Sequence, residues 1–421
     1  MSAKKVLLVE DDDAHAEFEK TILMDRYEVE RARDGIEGLE KVRSFRPDVV
    51  VVDIMMPKMH GYEFCQRLKA DTETSGMKVI ICSAKSFFAD QEQARAVGAD
   101  DYLVKPYSAR DLLAKIDALI FPGKGDGADA PFFVRFWGTR GSCATGSSKT
   151  VRYGGNTACV EVRIGSLLLI IDCGTGLREL GQELGREFQD RSIDGHIFVS
   201  HTHWDHIQGF PFFSPLYDKK NVFTLYSVRG ASGSLEKIFS GSMASDYFPI
   251  PLSSLASRLR FVEMQEPVEL GEARVSFHHL NHPGVCIGFR IEAKGRSVTY
   301  LSDHETFAKL GGDNEGSRRL DTGIVDFVRG SDLLIGEAQY TEEEYPQKKG
   351  WGHSTFDDTV RCAVLGGVKK LALFHHDPEH TDDMMDGFVE HCRKLARKAA
   401  SPVECFAAKD GLRIDIPGGA A

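Results

Sequence analysis

The sequence predicts an α/β protein of two domains, and three observations carry that expectation. Residues 1–121 alternate short apolar runs with amphipathic stretches five times, the order of a doubly wound parallel sheet covered on both faces. From Phe132 to the end at residue 421 the order changes to many strands with few helices. Two mixed sheets covered by helices would account for it, as would other mixed architectures. Between the two, residues 122–131 are glycine, proline and small residues without periodicity, which reads as a flexible linker short enough to keep the domains neighbours.

Composition narrows the class of protein. No apolar run reaches the roughly 18 residues that span a bilayer, and the start leads straight into a strand rather than a signal peptide, so a cytoplasmic protein without a membrane partner is expected. The nine cysteines are scattered singly, with no Cys-x-x-Cys pair, which argues for reduced thiols and against a disulfide framework or a zinc ribbon. Cys173 and Cys286 lie near the motifs below and read first as core fillers. The net charge is −11; residues 1–125 carry 19 Lys/Arg against 23 Asp/Glu and the remainder 33 against 40, so neither part is basic. Long nucleic acid, which needs a basic footprint, is not an expected partner.

In the first domain the polar residues follow the strands. Glu10-Asp11-Asp12 come after Val6-Leu7-Leu8-Val9, Asp53 after Val49-Val50-Val51-Val52, Ser83 after Val79-Ile80-Ile81-Cys82, and Lys105 after Tyr102-Leu103-Val104. In a parallel sheet these positions meet at the carboxyl edge. Carboxylates converging there with one lysine form a site for Mg²⁺ and a phosphoryl group, because a hard cation takes oxygen ligands and lysine offsets phosphoryl charge. The segment resembles the CheY-like receiver domain of two-component response regulators. The resemblance implies Asp53 as phosphoacceptor, Glu10 and Asp11 as Mg²⁺ ligands, Ser83 and Lys105 as phosphoryl contacts and Tyr102 as the switch residue. It also implies a cognate histidine kinase or phosphotransfer protein as partner. Glu10 stands where aspartate is common in that family.

In the second domain hairpins are expected over 158–172 and 285–301, and a long amphipathic helix over 382–399. Its most informative run is His201-Thr202-His203-Trp204-Asp205-His206, four metal-ligand side chains in six residues. Imidazole and carboxylate together suit zinc, iron or manganese, and the spacing lets one tight loop aim ligands at two adjacent metals. Residues 195–200 read as a short buried strand, so the ligands leave its carboxyl end.

This run resembles the signature of the metallo-β-lactamase superfamily, which implies an αββα sandwich for residues 132–421 and further ligands downstream. By that resemblance His201, His203 and His282 hold one divalent metal, Asp205, His206 and His375 a second, and Asp303 joins the two. His279 is the rival for His282 and His376 for His375, while His304 is read as a supporting residue. Within the superfamily the likeness is to the branch of RNase Z and the phosphoribosyl cyclic phosphodiesterases. It rests on Gly138-Thr139-Arg140-Gly141-Ser142 with Gly154-Gly155-Asn156-Thr157, on Asp172-Cys173-Gly174-Thr175-Gly176, and on Gly352-His353-Ser354-Thr355. Asp172 is expected to cap the following helix or to fix the metal loop. A long Gly/Pro-rich arm for gripping transfer RNA is not found.

Two divalent ions about 3.5–4 Å apart can share a water and stabilise both oxygens of an in-line displacement at phosphorus. The expected activity is therefore phosphodiester hydrolysis on a cyclic nucleotide or other small cyclic phosphodiester, with zinc the first choice of metal and manganese or iron the alternatives. Asp205 and Asp303 would orient the nucleophile and His353 would donate a hydrogen bond or proton. Arg140, Ser354 and Thr355 are candidates for substrate contact, Arg140 equally for an internal ion pair, and Phe210-Pro211-Phe212-Phe213 for a base-stacking wall or for core. The alternatives are a nuclease on short RNA or DNA, a lactonase or thioesterase, a diiron redox sensor, and a phosphorylation-dependent binding module. With no helix-turn-helix left to assign, the regulated output is expected to be hydrolysis itself, set by Asp53 phosphorylation through homodimerisation or movement of the receiver.

Overall fold

The computed structural model describes residues 4–24, 26–83, 93–94, 96–105, 107, 109–120, 131–189, 191–230 and 233–417. The chain forms two compact units, Met1–Gly127 and Ala128–Ala421. Apart from Pro131, the linker expected over 122–131 lies outside the described residues.

In the first unit β1 (Lys5–Val9), β2 (Glu28–Ala32), β3 (Val49–Asp53), β4 (Lys78–Ser83) and β5 (Asp101–Val104) form a parallel sheet in the order β2-β1-β3-β4-β5. The valine run of β3 is buried throughout, as a strand covered on both faces must be. Helices α1 (Asp13–Leu23), α2 (Gly35–Phe45), α3 (Gly61–Ala70) and α4 (Ala109–Ile120) supply those covers, and the sheet has an apolar cluster on each face. Asp12 and Asp34 start α1 and α2 by accepting backbone N–H bonds from His15 and from Ile36 and Glu37. Gly61 is required where α3 begins, since a Cβ there would lie 2.3 Å from the carbonyl oxygen of Asp53. The helix expected between β4 and β5 falls largely outside the described residues.

The second unit is a sandwich of two seven-stranded sheets with helices outside each. One sheet runs β11-β10-β9-β8-β7-β6-β19, from β6 (Phe132–Gly138), β7 (Cys159–Ile164), β8 (Leu167–Ile171), β9 (Asp194–Phe198), β10 (Val222–Ser227), β11 (Arg258–Glu263) and β19 (Arg413–Asp415). The other runs in chain order through β12 (Val268–Leu270), β13 (Ala273–His279), β14 (Ile287–Ala293), β15 (Arg296–Leu301), β16 (Leu333–Glu337), β17 (Lys370–Phe374) and β18 (Glu404–Ala407). The β7/β8 and β14/β15 hairpins fall where the sequence placed them, and the long helix spans Asp382–Lys398 behind a Thr381 cap.

Between the sheets Phe198 packs edge-on to Phe289 at 5.4 Å and Phe136 and Tyr300 meet Phe374 at 6.1 and 5.6 Å, so large aromatics fill the middle layer. Leu177–Phe188 covers the first sheet with Leu177, Leu180 and Leu184; Phe356–Leu365 and Asp382–Lys398 cover the second. This layering brings the carboxyl ends of β8, β9, β13, β15, β16 and β17 to one edge, where the candidate ligands leave their strands.

One buried acid gives the first unit a pH signature. Glu19 on α1 is almost fully buried, accepts a hydrogen bond from the Tyr107 hydroxyl, and is pushed up to about 7, chiefly by burial. A raised carboxyl favours the folded state while protonated, so this contribution is complete below about 4.5 and is lost as pH rises through about 7. Glu19→Gln should flatten the decline, by up to about 3 kcal/mol, when the first unit's denaturant transition is followed from acid to pH 8. An unchanged slope would show that Glu19 does not control it.

Candidate metal centre

The backbone explains how six residues serve two sites. His203 is extended and precedes the helical turn Trp204–Ile207, which carries Asp205 and His206 in a new direction. Two ligand groups result, His201, His203, His282 and Asp303, and Asp205, His206, His375 and Asp303. Asp303 belongs to both. Its Oδ2 lies 3.4 Å from His201 Nε2 and 3.7 Å from His282 Nε2, while Oδ1 lies 3.4 Å from His206 Nε2 and 3.2 Å from His375 Nε2. The groups close around these oxygens: His282 Nε2 is 3.0 Å from His203 Nδ1, His206 Nε2 is 3.2 Å from His375 Nε2, and His375 Nε2 is 3.1 Å from Asp205 Oδ2.

The donor set fits a pair of divalent cations. Two buried atoms at its centre, His201 Nε2 and Asp303 Oδ1, have no hydrogen-bond partner, a cost that a ligated cation removes. Burial lowers His201, His203 and His282, the last to about 3, which keeps their imidazoles in the neutral form that binds metal. Burial works against charge on Asp205 and Asp303 too, but the surrounding histidines outweigh it and hold both carboxylates ionised. Around His206 the opposite balance holds: against burial, Asp205, Asp303 and Asp172 draw a proton onto the ring, the place where a cation would sit instead.

Each ligand is aimed by a partner. The fully buried Asp172, at φ +61°, accepts from Ser200 N at 2.7 Å, Ser200 Oγ at 2.8 Å, His206 Nδ1 at 2.8 Å and the Tyr300 hydroxyl at 2.7 Å. It fixes the metal loop; the helix after it starts at Gly176 without a side-chain cap. His375 Nδ1 donates to Gln339 Oε1 at 3.0 Å, and His282 Nδ1 donates to the Gly352 carbonyl at 2.9 Å. Gly141 and Gly352 leave room for these rings, since a Cβ would lie 2.3 Å from His375 Nδ1 and 2.2 Å from His282 Nδ1 respectively.

His353 is brought to the same edge. Its ring stacks on His375 at 5.2 Å, its Nδ1 faces Glu337 Oε1 at 3.1 Å, and Ser354 N donates to Glu337 Oε2 at 2.9 Å. Burial raises Glu337 well above the usual carboxylate range and lowers His353. Glu337 and Gln339 were missed in the sequence because a single acid at the end of an apolar strand, and an amide two residues on, carry no spacing signal.

Other candidates lie elsewhere. Arg140 is not at the centre: it is fully buried and donates to the carbonyls of Gly154, Asp377 and His380 at 2.9, 3.1 and 2.8 Å, so it clamps loops instead of facing a substrate. Ser354 Oγ donates to the His304 carbonyl at 2.6 Å, and Thr355 caps Phe356–Leu365 while bonding Glu342, so both hydroxyls are spent internally. His376 Nε2 donates to Ala408 O at 2.9 Å, His279 stays exposed at the end of β13, and His304 Nδ1 accepts from Asn281 N at 3.1 Å. Phe210 and Phe213 are core; Phe212 is exposed. Cys173 and Cys286 are buried free thiols.

In the first unit Glu10, Asp11 and Asp53 come together at the sheet's carboxyl edge. Lys105 Nζ lies 2.6 Å from Asp53 Oδ1 and 2.7 Å from Glu10 Oε2; although burial pulls this lysine down, the two carboxylates hold its ammonium above the usual range. Met55 N donates to Asp53 Oδ2 at 2.7 Å. Ser83 and Tyr102 are buried beside this edge, with Lys105 N donating to Ser83 O at 2.7 Å.

Comparison with known proteins agrees with this division. Residues 6–117 match the response regulator receiver domain family and residues 168–376 a β-lactamase superfamily domain. Response regulator MprA of Mycobacterium bovis is 34% identical over 133 residues, 31% of this chain and 57% of that protein, so the chain spans little more than half the length of the curated relatives it matches. Among solved structures, the metallo-β-lactamase fold protein YhfI from Bacillus subtilis aligns with a TM-score of 0.50 at 19% identity, covering 68% of this chain and 99% of that one. Human tRNase Z, short form, aligns with a TM-score of 0.47 at 20% identity over 68% of this chain and 99% of its own. The likeness to YhfI shows the fold of the second unit, and that fold implies divalent metal binding.

Asp172→Asn keeps the size of the side chain but removes the charge that faces His206. Metal affinity should fall roughly 10–100-fold, read as metal retained per chain after dialysis against a graded chelator. Retention equal to the parent protein would show that Asp172 does not aim this ligand.

Proposed function

We propose that this chain, a response regulator receiver domain fused to a metallo-β-lactamase-fold domain, couples a phosphorylation signal to metal-dependent hydrolysis of a phosphodiester. The substrate would be a cyclic nucleotide or other small cyclic phosphodiester. The observation that carries the reading is Asp303, whose two oxygens face two separate ligand groups and so suit a cation pair. When bound, two divalent cations, zinc first and manganese or iron as alternatives, supply Lewis acidity toward phosphoryl oxygens and acidify water.

The chain's own residues account for orientation and proton handling. Asp303 and Asp205 stay ionised and accept, so they orient a water for in-line attack; Asp205 Oδ2 is itself held by Ser142 N at 2.7 Å. His353 is the proton donor to the leaving oxygen. Its ring is held in place by Glu337, whose Oε1 lies 3.1 Å from Nδ1, and burial disfavours charge on both groups.

In the receiver, Glu10 and Asp11 would hold Mg²⁺ beside Asp53, and Lys105 would follow the phosphoryl group once Asp53 accepts it from a histidine kinase or phosphotransfer protein. Phosphorylation adds charge that Lys105 and Mg²⁺ meet, the local event that a regulated output needs.

Two experiments test the reading. Zinc- or manganese-loaded protein should hydrolyse bis(p-nitrophenyl) phosphate and members of a cyclic nucleotide panel, and His203→Ala should lose on the order of 100-fold or more in kcat/KM; full activity of the variant without metal would sink the mechanism. Phosphorylated protein and Asp53→Ala should differ in rate on the best substrate, and equal rates across substrate and protein concentrations would remove the coupling.

A further inference from the structure

Two of the chain's three tryptophans stand in water at the rim of the metal centre. Trp137 is half-buried and spends its indole N–H on Glu161 at 2.9 Å. Trp204 and Trp351 are 60% and 57% exposed. Trp204 lies between His203 and Asp205; Trp351 adjoins Gly352, whose carbonyl holds His282, and is two residues from His353. His203 and His282, whose ring nitrogens lie 3.0 Å apart, thus place the backbone of both tryptophans beside one ligand group.

Each tryptophan is flanked by groups that make its face usable. Trp204 meets Tyr247, itself 71% exposed, edge-on at 6.5 Å, and Phe212 meets Phe248 at 5.5 Å behind the same short helix. The Lys348 ammonium sits 4.3 Å over the Trp351 ring, which fixes the indole and brings positive charge to the rim, with Lys349 exposed next to it. Trp204 and Tyr247 form one exposed aromatic patch, and contiguous exposed apolar surface of this kind marks binding sites. Indole faces and ammonium groups beside a phosphoryl site match a ligand with a flat ring at one end and an anion at the other.

We infer that Trp204 and Trp351 are specificity-determining residues that stack on the nucleobase of the substrate, so that this centre selects nucleotide phosphodiesters over base-free ones. The inference rests on the phosphodiesterase reading above. Stacking uses the π-face that every base has, so little discrimination among the bases follows.

The test uses the full-length metal-loaded protein with two five-membered cyclic phosphates, a nucleoside 2′,3′-cyclic phosphate and glycerol 1,2-cyclic phosphate. The parent protein should show a KM at least tenfold lower for the nucleotide. Trp204→Ala and Trp351→Ala should each reduce that KM ratio severalfold, with Phe restoring most of it. Equal KM values in the parent, or equal losses on both substrates in the variants, would overturn the inference while leaving phosphodiester hydrolysis standing. Should neither substrate turn over, the phosphodiesterase reading fails separately, and quenching of tryptophan fluorescence by a nucleoside monophosphate decides the stacking. Saturable quenching that Trp204→Phe and Trp351→Phe each diminish supports it; none overturns it. Variants that change only the sedimentation behaviour would assign the exposed rings to a protein interface and overturn it as well.

Discussion

The metal edge of the second unit depends on one buried carboxylate. Asp172 leaves β8 in a left-handed backbone conformation and takes bonds from Ser200 and His206 on the first sheet and from Tyr300 on the second. Four donors meet on this one fully buried carboxylate, and it cannot move without stranding all of them. It therefore fixes the distance between the sheets at their carboxyl edge and the direction of His206 at once. Asp303, two residues after β15, inherits its position from the same Tyr300 strand.

What this scaffold assembles is a dense set of groups that would otherwise be avoided in a core. Histidines and carboxylates are brought within hydrogen-bond distance, yet two central atoms find no partner. The outward-facing nitrogens are nearly all spent, on Asp172, Gln339 and Gly352, so the inward-facing ones are free for a common ligand. Such one-sided satisfaction is the structural form of metal selectivity by orientation. The glycines at 141 and 352 belong to the same arrangement, because the rings of His375 and His282 occupy the space of their missing side chains.

Much of this was legible in the sequence where residue type and period agree. The valine run of β3, the β7/β8 hairpin and the Thr381-capped helix follow from pattern alone, and the ligand run announces its chemistry by density. The substrate contacts were not legible. Arg140 has the chemistry of an anion binder, but its three carbonyl acceptors come from segments 14 and roughly 240 residues away, which no local pattern reveals. Ser354 and Thr355 were candidates for substrate contact, yet Thr355 caps the helix that follows it and the Ser354 hydroxyl donates to the His304 carbonyl. Glu337 was hidden for the complementary reason: its importance comes from burial next to His353, and burial is a property of the fold.

The two sites solve the same electrostatic problem differently, and the difference bears on how each responds to its environment. Both gather carboxylates at the carboxyl ends of strands. In the receiver, Lys105 pairs with Asp53 and Glu10, so a fixed positive charge is present whatever is bound. At the metal centre the ion-pair partners of Asp205 and Asp303 among the described residues are all histidines, which are cationic only when protonated and then cannot ligate. Protons and metal thus compete for one role there, and the charge balance of that edge is completed from solution. A cation that binds only the folded edge would therefore stabilise the second unit by mass action, whereas in the first unit Lys105 already sets positive charge beside Asp53 and Glu10.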